Sequence, residues 1–278
     1  MSMEEALFRV FLFVLGACFG SFLCCQARRL HYRTQQGKKQ RGKLTNKSAP
    51  KLPNRSICPH CKYQLKWYDN IPIFSWLVLK GRCRKCHKKI GIAEFLSELL
   101  TGLAWLALGA TINLTITDPL IWINFIILLV FSLVLIFLAI YDGAYGELPT
   151  KFLTVSIILA AIILLINIVS SIALNSFRPE TILQPLGSVL ILGGLYLVLY
   201  LVSKGKWVGD GDWLLALALG LALGQAWLAL IALFLANLFA CLYALPRFKQ
   251  NKKIYFGPFL VAAFIITTAF ANLFQSML

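Results

Sequence analysis

Charge is scarce in this chain, and negative charge is scarcest. Only 11 of 278 residues are Asp or Glu, and charged residues of both signs make up 14%, against roughly 25% in soluble domains. Hydrophobic residues reach 59%, in runs that overrule the one or two soluble domains the length alone would allow. This composition excludes a soluble enzyme or binding module and indicates a polytopic membrane protein. Also missing is a basic region ahead of the first apolar run, where the charges are Glu4, Glu5 and Arg9. The run over residues 7–25 is too long for a signal-peptide core and no small-residue cleavage site follows, so a retained span is expected. Internal repeats and low-complexity tracts are lacking too.

The charge that is present is concentrated. Residues 26–91 hold 18 of the 27 Lys and Arg and a single acid, Asp69. That segment is about +17, and the rest of the chain is close to neutral. A basic block between apolar spans predicts a cytoplasmic loop in contact with anionic lipid heads; nucleic acid is not the expected partner. Residues 35–51, "QQGKKQRGKLTNKSAPK", are almost wholly polar and are expected to be a flexible insertion.

About 20 apolar residues cross a hydrocarbon core. By that measure spans fall near 6–26, 94–112, 119–141, 152–173, 183–203, 212–224, 226–245 and 255–276. The sixth is short, and "LGQA" at its end could equally be a re-entrant tip. If 27–92 faces the cytoplasm, so do 141–151, 204–211 and 246–254, which carry Lys151, Lys204, Lys206 and the run "RFKQNKK". The opposite loops hold only Arg178 with Asp118 and Glu180, so the positive-inside rule is obeyed at every turn. The expected fold is all-α: about eight transmembrane helices with a small cytoplasmic zinc-binding loop after the first. Its parts are the first span (1–26), the basic segment (27–92) and the membrane core (93–278).

Four of the eight cysteines form two C-x-x-C pairs in the basic loop: Cys58 with Cys61, and Cys83 with Cys86. In a reducing compartment this pattern favours one tetrahedral zinc over disulfides. Neighbouring Lys and Arg favour the thiolate forms. "CPHC" alone also looks like a thiol–disulfide motif, and His60 or His87 could replace a cysteine, although both read as solvent-facing. With four protein ligands the zinc would be structural, and a loop this small would depend on it to fold. The aromatics between the pairs, including Trp67, Phe74 and Trp76, could instead rest at the membrane interface. Cys18, Cys24, Cys25 and Cys241 lie in or beside apolar runs and read as small buried hydrophobes.

The acids left in the apolar part are the chemically informative ones. "WVGDGDW" places Asp210 and Asp212 at the start of the sixth span, and "YDGAYGELP" places Asp142 at the end of the third. Both spans present those ends to the same membrane face. Two carboxylates brought together share one proton, so one serves as base and the other as acid, which suits peptide hydrolysis. Gly209 and Gly211 would permit close backbone approach. Each Asp could equally cap or end a helix; Asp210 reads as solvated and Glu147 as a loop acid.

Six ordered motifs resemble the type IV prepilin peptidases, membrane aspartyl proteases of the G-x-G-D type. They are "GACFGSFLCCQARRL", the cysteine segment "CPHCKYQLKWYDNIPIFSWLVLKGRCRKC", "SELLTG", "YDGAYGELP", "GDGDWLLALALG" and "FGPFL". The resemblance implies Asp142 and Asp212 as catalytic acids and Cys58, Cys61, Cys83 and Cys86 as metal ligands. It further implies a bacterial inner-membrane enzyme that cleaves the basic leader from prepilins or pseudopilins at the cytoplasmic face. Methylation of the new N-terminus with S-adenosylmethionine would follow. Leu214, Thr150 and Cys24 depart from the family's usual Lys, Asp and Asn, which bears on substrate positioning and methyl transfer rather than on proteolysis. Glu98 with Gly16, Gly20 and Ser21 are candidates for supporting methyl transfer, or small residues that pack a helix pair. Two competing readings remain: an ion-coupled transporter with a regulatory zinc domain, and a non-catalytic adaptor whose basic loop holds DNA.

Overall fold

The computed structural model describes residues 3–41, 57–58, 60–115, 117–173, 178–245 and 254–271. Among them are no β-strands, only two isolated bridges, Ile57 with Gln64 and Arg82 with Lys89. The chain forms two compact units, residues 1–106 and 107–278.

The first unit begins with α1 (Met3–Arg41), 39 residues long. At 1.5 Å per residue that is about 58 Å, well beyond a hydrocarbon core of roughly 30 Å. Helix therefore continues through 35–41, where a flexible insertion was expected. The physical reason is that Gln, Lys and Arg are good helix formers, and extending an existing helix needs no new nucleus. Residues 42–51 of that insertion lie outside the described residues, as do the run 247–253 and the end of the last span at 272–276. The cysteine loop follows, with a 3₁₀ turn (Trp67–Asn70) and the short α2 (Phe74–Val78), and leads into α3 (Ile92–Leu108).

Small residues decide how α1 meets α3. A Cβ on Gly16 would lie 2.8 Å from the Thr101 carbonyl oxygen, and one on Gly20 would lie 2.5 Å from that of Ser97. Gly102 returns the contact against the ring of Phe13. The two backbones touch because these positions carry no side chain, the usual device where lipid offers no hydrophobic drive for helix pairing.

The second unit holds α4 (Pro119–Tyr145), α5 (Thr150–Ala173), α6 (Glu180–Val189), a π-helical turn (Leu190–Gly194), α7 (Leu195–Ser203), α8 (Asp210–Leu223), α9 (Ala226–Ala244) and α10 (Gly257–Ala269). Asp118 caps α4 by accepting the Leu120 N–H at 2.9 Å, with Pro119 in the first turn, as a helix start requires. Gly224, at φ +64, ends α8, and α9 begins two residues later with its Ala226 N–H donating to the Gln184 side chain. The α6–α7 segment packs on α8 at close range: Ser188 donates to the Gly220 carbonyl at 2.8 Å, and a Cβ on Gly193 would lie 3.0 Å from Leu217 Cα.

Each of the eight apolar segments expected from the sequence contains helix among the described residues. Among the described residues, five stretches are long and apolar enough to cross a membrane: Met3–Gln35, Pro119–Tyr145, Thr150–Ala173, Glu180–Ser203 and Ala226–Ala244. The others are shorter, and α8, at 14 residues, measures about 21 Å. Many large apolar side chains face outward, among them Ile126, Val130, Ile158, Leu165, Val198 and Phe234, as a protein solvated by lipid demands. The fold is an all-α polytopic membrane protein with a cysteine loop after its first helix.

The backbone contact in the first unit yields a direct test. Gly20→Val drives a side chain into the α3 carbonyls and is expected to cost about 1–3 kcal/mol. Its thermal unfolding midpoint in detergent should fall below that of wild type, while Phe22→Val, on an exposed position, should leave the midpoint unchanged.

Candidate functional site

The four cysteines of the loop converge. All four Sγ atoms lie within 4.8 Å of one another; Cys58 and Cys86 stand 3.8 Å apart, and Cys61 and Cys83 stand 3.9 Å apart. Four sulfurs held tetrahedrally about 2.3 Å from a zinc lie about 3.8 Å from each other, so the donor set fits that ion. Each pair sits on the same backbone knuckle. Cys58 donates to the Tyr63 carbonyl and accepts from Lys62; Cys83 donates to Lys88 and accepts from His87. Lys62 and His87, each directly after the second cysteine of its pair, take φ values of 58° and 54°, so both are turn residues. His60 and His87 are exposed, as read from the sequence.

Electrostatics within the cluster already favour a thiolate. Burial raises the Cys58 thiol, but N–H groups of Cys61 and His60 together with neighbouring thiols outweigh it and bring it down to about 6. Cys86 receives the Lys88 N–H, yet desolvation and the other three sulfurs push it up to about 11. The one acid of the basic segment is used structurally: Asp69 is buried, pairs with Arg84 at 2.8 Å and accepts the Lys66 N–H at 3.1 Å.

Glu98 has a structural partner as well. Its Oε2 accepts the Ile73 N–H at 2.7 Å, and Ser21 also bonds to its carboxylate. Gly16 and Gly20 are filled by the backbone of α3, and Arg28 pairs with Glu94. These residues pack and fasten the first unit. The close approach at Gly16 and Gly20 matches the helix-packing reading of these small residues.

In the second unit Asp142 lies in the last turn of α4 and is 5% exposed. Its Oδ2 accepts the N–H of Gly257, the first residue of α10, at 3.0 Å. A Cβ on Gly257 would lie 2.7 Å from that same oxygen, so only glycine allows the bond. The helix closes at Gly146, at φ +66, where a Cβ would run into the ring of Tyr255 at 2.2 Å. Asp212 is the third residue of α8 and half-buried. Its Oδ2 accepts the Gly209 N–H at 3.1 Å, the arrangement in which an acid at N3 reaches back to the N-cap.

The two aspartate motifs meet. A Cβ on Gly211 would lie 2.6 Å from Leu148 Cβ, in the loop that follows Asp142, so glycine at 211 is what lets the two loops approach. The carboxylates of Asp142 and Asp212 lie within electrostatic reach of each other. Tyr196 borders the same region: it is buried, packs at a tilt on Phe256 with ring centroids 5.5 Å apart and senses the charge of Asp212. Asp210 is exposed and bonds to Tyr200; Glu147 is exposed. The sequence named the two acids and Gly211. Gly146 is also readable there as the turn that ends the Asp142 helix, whereas Gly257 as a donor, Tyr255 and Tyr196 are not; "FGPFL" is the one signal, and nothing in it points to a donor for Asp142.

Residues 14–112 match the family described as the Bacterial Peptidase A24 N-terminal domain. Several similar proteins carry the name "Prepilin leader peptidase/N-methyltransferase". That of Pectobacterium carotovorum subsp. carotovorum is 33% identical over 260 residues, covering 89% of this chain and 88% of that protein. Those of Aeromonas salmonicida (strain A449) and Dichelobacter nodosus are 34% and 32% identical over 217 and 209 residues. Each covers 75% of this chain, with 69% and 68% of the relative matched respectively. No solved structure matches the chain. With identity sustained across most of both chains, this chain belongs to the prepilin leader peptidase/N-methyltransferase family.

Proposed function

We propose that this chain removes the basic leader of type IV prepilins or pseudopilins at the cytoplasmic face of the inner membrane, with Asp142 and Asp212 as its catalytic acids. The observation that carries the reading is the close approach of Gly211 to Leu148, which sets the ends of α4 and α8 together. Both acids sit at helix ends, Asp142 in the last turn and Asp212 in the first. An ion path would put them near the middle of their helices, so this placement favours hydrolysis over transport.

The chemistry follows from the pair. One carboxylate, ionised, takes a proton from a water molecule whose oxygen attacks the scissile carbonyl. Its protonated partner donates to the developing oxyanion. When the tetrahedral intermediate collapses, the C–N bond breaks and the leaving nitrogen is protonated. Gly257 and Gly209 each hold one Oδ2 through a backbone N–H, which orients the carboxyls before substrate arrives. The apolar helix of the substrate would lie in the bilayer, with its leader in the cytoplasm where the positive-inside pattern puts these loops.

Cys58, Cys61, Cys83 and Cys86 would hold a structural zinc that supplies folding free energy to the loop and has no open coordination position. Methylation of the new N-terminus, carried by the relatives' names, belongs to the same proposal, with S-adenosylmethionine as donor.

Three measurements check these statements. Asp142→Asn and Asp212→Asn should each abolish leader cleavage of a reconstituted prepilin, by a factor of about 10⁴ or more, while Asp210→Asn retains it. Full-rate cleavage by either of the first two variants would rule out the dyad. Gly257→Ala should lower cleavage severely with zinc content intact, because its methyl group displaces the Asp142 carboxylate. Metal analysis of the purified chain should find one zinc per molecule, lost in Cys58→Ser together with loop protection from protease. Mass spectrometry of the product separates cleavage alone from cleavage with one added methyl group.

A further inference from the structure

The cysteine loop carries an apolar surface that neither the metal nor the aspartates use. Trp67 is 78% exposed, Phe74 66% and Val78 62%, with Leu77 and Ile71 also open. Phe74, Leu77 and Val78 fall at i, i+3 and i+4 and so share one side of α2. Exposed large apolar residues clustered this way outside a span mark an interaction site.

Two contacts fix the level of that surface on the first unit. The Ile73 N–H, just before α2, donates to Glu98 of α3 at 2.7 Å. Trp76 of α2 stacks on Phe95 of α3 with ring centroids 4.6 Å apart, and Gly81 closes over the other ring atoms of Trp76. α2 is thus fastened beside the first two turns of α3, where the second span expected from the sequence, 94–112, begins. On α3 itself the residues at this level that look outward are Ile92, Leu96 and Leu100. Lysines bracket the exposed stretch: Lys66 precedes Trp67, and Lys80 follows α2, both exposed.

We infer that this face of the cysteine loop, Trp67, Ile71, Phe74, Leu77 and Val78, seats in the anionic surface of the membrane the chain spans. The apolar side chains enter the acyl boundary, as on interfacial helices. Lys66, Lys80 and the rest of the basic segment meet anionic headgroups, each contributing about fivefold in binding near such a surface. The occupant is lipid because the loop is held at bilayer height by α3 and its charge complements the leaflet.

The test uses the full-length protein, zinc-loaded, in nanodiscs of phosphatidylcholine with and without phosphatidylglycerol. Hydrogen exchange is followed over residues 66–80. Exchange should be several-fold slower with the anionic lipid than in neutral lipid or detergent, and the difference should shrink at high salt. Phe74→Ser combined with Leu77→Ser should abolish the protection with zinc content unchanged. Lys66→Gln combined with Lys80→Gln leaves the apolar face and the cysteines intact, and it should shrink the difference between anionic and neutral lipid. Equal exchange in all three environments overturns the inference. So does protection that arises only when prepilin is added, which would assign the face to substrate; leader cleavage by the wild type, measured alongside, reports separately on the dyad.

Discussion

The Gly257 N–H and the Asp142 carboxylate meet across 115 residues of sequence, and the arrangement of the second unit depends on that bond. A carboxyl group buried at the end of an apolar helix costs several kcal/mol unless a donor answers it. Here the donor is the backbone of the first residue of α10, where a helix offers an unpaired N–H and a partial positive charge. Three glycines make the meeting possible by their missing side chains: Gly257 against Asp142, Gly146 against Tyr255, and Gly211 against Leu148. The ends of α4, α8 and α10 are thereby gathered into one place. The rest of α8 is held by Ser188 and Gly193 of the neighbouring α6–α7 segment.

The first unit solves a different problem. Its loop is too short to bury a core of its own, and all its charged side chains but Asp69 are basic. Two knuckles of the same geometry bring four sulfurs to the spacing a tetrahedral ion requires, and the sole acid of the segment neutralises one of its arginines from a buried position. Glu98 then ties this small body to α3 through a backbone N–H. Its carboxylate also bonds to Ser21, so the loop, α1 and α3 meet at one side chain.

What the sequence disclosed divides along physical lines. The cysteine cluster was legible because metal ligation constrains residue type and spacing at once, and the knuckles are local. The two aspartates were legible as a pair on one membrane face because hydropathy and positive charge fix topology, but topology does not say which helix ends touch. Gly257 was opaque because its contribution is a main-chain N–H and an absent Cβ, neither of which leaves a mark of residue chemistry. The helical stretch at 35–41 was misjudged because polarity was read as disorder, when Gln, Lys and Arg extend a helix already begun. Tyr196 looked like one more apolar span residue until its neighbours, Phe256 and Asp212, were known.

The charge distribution poses a final question that the two units answer together. A leader peptide that is basic is repelled by a segment of about +17, so the cysteine loop is a poor clasp for the substrate proposed here. Placed against anionic headgroups, the same lysines and arginines are compensated by lipid, and their field is screened within roughly 8–10 Å. The leader proposed as substrate would then approach a site that carries Asp142, Asp212 and Asp210, three of the few acids in the chain, with Glu147 in the same loop as Asp142. Lys151, Lys204 and Lys206 lie in the same loops, so the local excess of negative charge is small. A basic leader beside an apolar helix would find there the pair of carboxyls to cut it.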